Sequence, residues 1–305
     1  MPTLPSTYGA WFLSFFFETI LYGIGVLQIM LYFLWWPNDD FYSIKLPVIV
    51  VMVLETIQIG FFCRSSYFRF VQRFGVIQID LVWYVVHLQL LANYLTTFAV
   101  QLYFASRIYR LTRDTVSMYR ASPLGLYVIV ILALTQISAG LAQTVKSYQL
   151  RSFLKLDLTK TSTIVQTAAS SLCDIAIAAY LCIFLHRNKE GLLRSQKILN
   201  TLMINAVCCG MPTALTSVCT MILFLVFPDT FWFFLSLAPN SKLYMNSMLA
   251  TLNLRQNVRN KWKTAQIGEF PTSQPTEGHP TTKTSVELGK LSVVFALVLL
   301  TDIYY

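Results

Sequence analysis

The chain has 305 residues, of which 55% are hydrophobic and 12% charged, about half the charged share of an ordinary soluble domain. A water-soluble globule is excluded on that ground, because a core needs a polar surface to wrap it and too few polar residues are present to make one. The formal net charge of +9 does not mark a nucleic-acid binder, since Lys and Arg fall in short clusters between apolar runs and build no single basic face.

Seven runs are long enough to cross a hydrocarbon core of about 30 Å. In chain order they are Trp11 to Trp36, Leu46 to Cys63, Leu81 to Ala105, Leu124 to Gln143, Thr163 to Leu185, Leu199 to Phe227 and Phe231 to Leu254. None has the period-two polar alternation of a membrane barrel, so helices are predicted. The expected fold is an all-α polytopic membrane bundle of seven transmembrane helices. The first run exceeds the h-region of a signal peptide and is expected to be retained. The second is the shortest and is expected to borrow flanking residues. Residues 1–10 are predicted to be an extracellular N-terminus, 11–255 the transmembrane domain, and 256–305 a cytoplasmic tail. Most of that tail is expected to be disordered, because Thr264 to Lys290 is rich in Thr, Pro, Ser, Gly and Glu and has little to bury. Leu291 to Leu300 is apolar again but too short to span.

The connections are short and polar, among them Pro37 to Asp40, Arg64 to Ser66, Arg187 to Glu190 and Pro228 to Thr230. They leave no room for a soluble catalytic domain. Lys and Arg number 13 around the first, third and fifth connections and the proximal tail, against 7 on the other side. Cytoplasmic flanks collect positive charge, so the N-terminus is expected outside and the C-terminus in the cytoplasm. A multi-pass plasma-membrane protein is the predicted localisation, with the lipid bilayer as its first partner and no nucleic acid. Aromatics at the boundaries, such as Trp35-Trp36 and Phe231-Trp232-Phe233-Phe234, suit headgroup anchoring. The six cysteines lie in or at the ends of apolar runs and form no disulfide framework.

Ionisable groups inside a span are costly in lipid and must face protein or a wet cavity. Glu18, Glu55, His87, Asp174 and Lys242 are such groups. Helical spacing adds to them. In the third span Gln89, Asn93, Thr97 and Gln101 recur every four residues and share a face. Thr163, Thr167, Ser170 and Asp174 do so in the fifth. The seventh carries Ser236, Asn240, Tyr244, Ser247 and Thr251 on one side, with Lys242, Asn246 and Asn253 on another. Such stripes serve either as interhelical hydrogen-bond glue or as the walls of a ligand cavity. The candidate pocket or ion-path residues are Glu18, Glu55, Gln89, Asn93, Asp174, Asn240, Lys242 and Tyr244. Pro212 and Pro239 each remove a backbone donor and are expected to bend their helices.

No zinc-binding His-Glu-x-x-His, no Gly-x-Ser-x-Gly elbow and no phosphate loop occurs in the sequence, so neither catalysis nor a cofactor nor a metal site is predicted. Lys242 invites comparison with the retinal lysine of microbial rhodopsins, but the third span holds no Asp or Glu to act as its counter-ion. The motifs of G-protein-coupled receptors are also incomplete. No Cys lies between spans four and five, Arg107-Ile108-Tyr109-Arg110 has no acid before its first arginine, and the last span reads Pro239-Asn240.

Three segments carry a family likeness: Leu21-Tyr22-Gly23-Ile24 with Gln28, the stretch from Gln101 to Tyr109, and above all Ser241 to Arg255. On these, Gly9 to Arg255 resembles fungal, chiefly basidiomycete, seven-span membrane proteins built around a domain of unknown function. Glu55 stands where that family more often has Asp. The resemblance implies a seven-helix membrane bundle and carries no activity with it. Two functions are left open. One is a receptor-like or sensor bundle, with a small-molecule pocket among spans three, five, six and seven and a cytoplasmic signalling partner. The other is a small-molecule or proton-coupled ion transporter or channel, with Glu18, Glu55 and Asp174 as its path.

Overall fold

A computed structural model describes residues 8–35, 42–72, 84–114, 124–150, 158–187, 196–227 and 232–267. Those residues form seven helices and no strand: α1 (Ala10–Trp35), α2 (Tyr42–Tyr67), α3 (Tyr84–Asp114), α4 (Leu124–Leu150), α5 (Lys160–Arg187), α6 (Gln196–Val226) and α7 (Trp232–Ile267). A wider π-type turn, Phe68–Gln72, continues α2. The expected tail beyond Ile267, the segment 1–7 and most of the connections lie outside the described residues.

Helices are the only open structure that satisfies every backbone donor and acceptor within one segment of lipid-facing chain. Hydroxyls buried along them follow the same logic by donating to their own helix. Thr97 bonds the carbonyl of Asn93 at 3.0 Å, Thr167 that of Thr163 at 2.8 Å, and Thr251 that of Ser247 at 2.8 Å. α2 does borrow flanking residues, starting at Tyr42 and ending at Tyr67. α7 runs on to Ile267, thirteen positions past the predicted end of its span at Leu254. Loss of apolar residues ends a span, but it does not end a helix. Nothing from Arg255 to Ile267 is Gly or Pro, and Gly268 is the first breaker.

Among the described residues four helices are long and apolar enough to cross a membrane, Ala10–Leu34, Ile44–Gln72, Leu124–Gln149 and Lys160–Ile183, and they mark a membrane-embedded protein. Their outward faces are greasy, with Phe16, Leu34, Leu46, Ile131 and Ile175 exposed. Consecutive helices pack on one another around the bundle, α1 closes on α7, and α3 reaches across to both α5 and α7. α7 is therefore enclosed, and every residue from Phe233 to Asn253 is buried.

Among the described residues two large apolar clusters fill the interior, and a third, smaller one of Leu21, Ile24 and Leu243 packs α1 on α7. Trp11, Phe62, Val86, Phe224, Phe233 and Phe234 fill one end. Tyr32, Val48, Val100, Ile108, Met245 and Met248 belong to the other. On α1, α2 and α7 the ionisable residues Glu18, Glu55 and Lys242 fall between the segments that feed the two large clusters. A charge held there is surrounded by hydrocarbon on both sides and must find its partner locally.

Candidate functional site

Lys242 enters this layer from α7, ten residues after Trp232, or about 15 Å along the axis at 1.5 Å per residue. Its Nζ lies 2.5 Å from Glu18 Oε1 on α1 and 2.8 Å from Glu55 Oε2 on α2, and all three side chains are fully buried. Glu18 Oε2 and Glu55 Oε1 meet no hydrogen-bond partner among the described residues. One ammonium faces two carboxyl groups, so a neutral centre carries one further proton on a carboxyl. Neighbouring polar contacts hold the same seam. Ser241 donates to Gln58 Oε1 at 2.9 Å, Asn246 Nδ2 to the Leu21 carbonyl at 3.1 Å, and Asn253 Nδ2 to the Gln28 carbonyl at 3.0 Å.

Tyr244 is two residues from Lys242 and so points about 200° away around the helix, to the opposite side. There its hydroxyl donates to Asp174 Oδ2 at 2.5 Å and accepts from Ser170 Oγ at 3.1 Å. Thr213 Oγ1 lies 2.9 Å from the same Oδ2 and also 2.9 Å from the Gly210 carbonyl, and its single proton serves one of them at a time. Gln101 Nε2 approaches Asp174 Oδ1 at 3.5 Å. Gln101, Asp174, Thr213, Tyr244 and Ser247 border a cleft that offers about 20 Å³ to the centre of a water-sized sphere. About 10–15 Å³ on that measure suffices for one water.

A third polar seam joins α6 to α7. Thr216 donates to Asn240 Oδ1 at 2.8 Å, and Asn240 Nδ2 reaches Ser217 Oγ at 3.4 Å. Asn93 on α3 donates to the Leu237 carbonyl at 3.4 Å. Gln89 is buried, and its Oε1 meets no donor among the described residues. His87 packs edge-on against Tyr148, with ring centroids 5.6 Å apart.

The sequence candidates thus separate into two centres on opposite sides of α7, Glu18, Glu55 and Lys242 on one and Asp174 and Tyr244 on the other, while Asn240 binds α6 and Asn93 of α3 reaches the α7 backbone. Thr213 and Thr216 join Asp174 and Asn240 although neither is ionisable. The sequence does signal them, because Thr213, Thr216, Ser217 and Thr220 recur at helical spacing after Pro212, and all are buried. Gln101 belongs to the polar stripe of α3, and its contact with Asp174 follows only from the packing of α3 on α5.

The arrangement defines a helical membrane protein whose interior holds charged and hydrogen-bonded centres between apolar layers. A family of unknown function (DUF6534) matches residues 170–257, the stretch that contains Asp174, Thr213, Asn240, Lys242 and Tyr244, while Glu18, Glu55 and Gln101 lie outside it. No curated protein and no solved structure matches the chain.

Proposed function

We propose that the chain is a receptor-like or sensor bundle of seven spans in the plasma membrane, N-terminus outside, of the kind suggested by its likeness to fungal seven-span proteins. α3, α6 and α7 are spans in this reading. Their polar residues are turned inward, so a helix enclosed by others needs less grease than one facing lipid. The chain is not an enzyme in this reading, and its partners are a small-molecule ligand and a cytoplasmic signalling protein.

One observation supports it. α7 is buried on all sides from Phe233 to Asn253, is tied at Lys242 to α1 and α2 and at Tyr244 to α5, and continues as helix to Ile267. Packed elements shift between discrete arrangements and do not deform smoothly. A ligand that competes for one tie would move a rigid rod whose far end carries Arg255, Arg259, Lys261 and Lys263. The transport reading has less support. Lys242 already occupies the position between Glu18 and Glu55 that a passing cation would take, and Asp174 lies across α7 from both.

Two measurements on the full chain test this. Screened against a library of lipophilic small molecules in detergent, the protein should gain thermal stability with particular compounds. In proteoliposomes carrying an internal pH dye it should pass no protons or cations under an imposed potential. Flux that disappears in Asp174→Asn would replace the sensor reading with transport.

A further inference from the structure

We propose that the cleft beside Asp174 is a binding site for a single monovalent inorganic cation of sodium or potassium size. The inference does not rest on the signalling reading.

It starts from charge. Asp174 is buried, and among the described residues no Lys, Arg or His lies within ion-pair distance of it; the buried pairs there belong to Lys242. Its neighbours are arranged for the ionised form. Tyr244 and Gln101 present donors to it, and Thr213 has a hydroxyl within reach. An ionised carboxylate in a hydrocarbon interior needs a counter-charge. Tyr244 and Thr213 both approach Oδ2, whereas Oδ1 has only Gln101 Nε2 at 3.5 Å, the outer limit of a hydrogen bond. Oδ1 therefore keeps most of its capacity to accept.

The second observation is Gln101 itself. Its side chain is 1% exposed, its Oε1 meets no donor among the described residues, and it borders the same cleft as Asp174, Tyr244 and Ser247. Two under-used oxygens, one of them charged, thus border a space of about 20 Å³, enough for one water-sized occupant. Hard oxygen donors select alkali and alkaline-earth ions over softer metals. A single carboxylate balances one positive charge, and a divalent ion would leave the interior with a net charge, so the occupant is monovalent. Such an ion would join α3, α5, α6 and α7 at one point.

The test uses the full chain in nanodiscs of zwitterionic lipid. Melting temperature is recorded against rising NaCl or KCl, with N-methylglucamine chloride holding ionic strength constant. Wild type should melt higher in proportion to the logarithm of Na⁺ or K⁺ concentration above a threshold, and the ion with the lower threshold is the one the site prefers. Asp174→Asn should lose the dependence and melt at one temperature in every salt. Gln101→Leu, which keeps the carboxylate, should shift the curve to higher concentration by tenfold or more. Binding of radioactive sodium or rubidium to wild type, read by scintillation proximity, should saturate at one ion per chain, which keeps the test open if a variant does not fold. Identical melting in all three salts without saturable ion binding would overturn the proposal. So would stabilisation that follows pH alone in cation-free buffer.

Discussion

Lys242 carries the sharpest residue-scale consequence. Removing one partner of a buried ion pair leaves an uncompensated charge, which costs about 3–5 kcal/mol. Lys242→Met should therefore destabilise strongly, because both Glu18 and Glu55 lose the Nζ that lies within 2.8 Å of each. Glu18→Gln or Glu55→Gln should cost much less, since either leaves one ammonium with one carboxylate. The triple variant Lys242→Met, Glu18→Gln, Glu55→Gln should regain most of the loss, as no charge remains to be stranded. Unfolding by SDS titration in mixed micelles, followed by tryptophan fluorescence, gives the order of the four. A Lys242→Met protein as stable as wild type would mean that the three side chains do not meet. Sequence alone identified each of these groups as costly in lipid, but not that Glu18 and Glu55 share one lysine. That pairing depends on α1 closing on α7 across more than two hundred residues of chain.

At the scale of elements, the close approach of α1 to α7 and of α3 to α4 rests on two glycines. A Cβ built at Gly25 would overlap the Met245 side chain and come within 2.9 Å of Asn246 Oδ1. At Gly140 it would come within 2.7 Å of the Tyr94 ring, whose hydroxyl is anchored 2.8 Å from Gln143 Oε1. Small residues at such points let helices pack by van der Waals contact where no hydrophobic force drives them together. Gly140→Val should cost about 1–3 kcal/mol, the usual penalty for overfilling a packed interface. Gly23→Ala should be neutral or slightly stabilising, because nothing lies within 4 Å of the added methyl and alanine is the better helix former. The same SDS titration reads both. An equal effect at Gly23 and Gly140 would remove the packing argument. Polar stripes at helical spacing told which faces of α3, α5 and α7 turn inward, and the buried Asn93, Thr167, Asp174 and Asn240 agree. Which stripe meets which was not written in the spacing.

For the whole molecule, the seven spans proposed above would place the two ends on opposite sides. A glycosylation acceptor appended before Met1 should be modified, and one inserted after Ile267 should not. Modification of both, or of neither, would require an even number of crossings. Four helices qualify as spans on length and apolar content, and they were visible as hydrophobic runs because each shows much of its surface outward. α7 is the instructive contrast, since its polar residues would be forbidden against lipid and are tolerated because other helices enclose it. By itself the sequence determined an all-helical, membrane-embedded chain, for that follows from composition and from the length of apolar runs, which are local quantities. Only the tertiary structure decided that two carboxylates share Lys242 while Asp174 stands apart beside its own cleft, because ion pairing depends on distances between helices, and no local pattern encodes them.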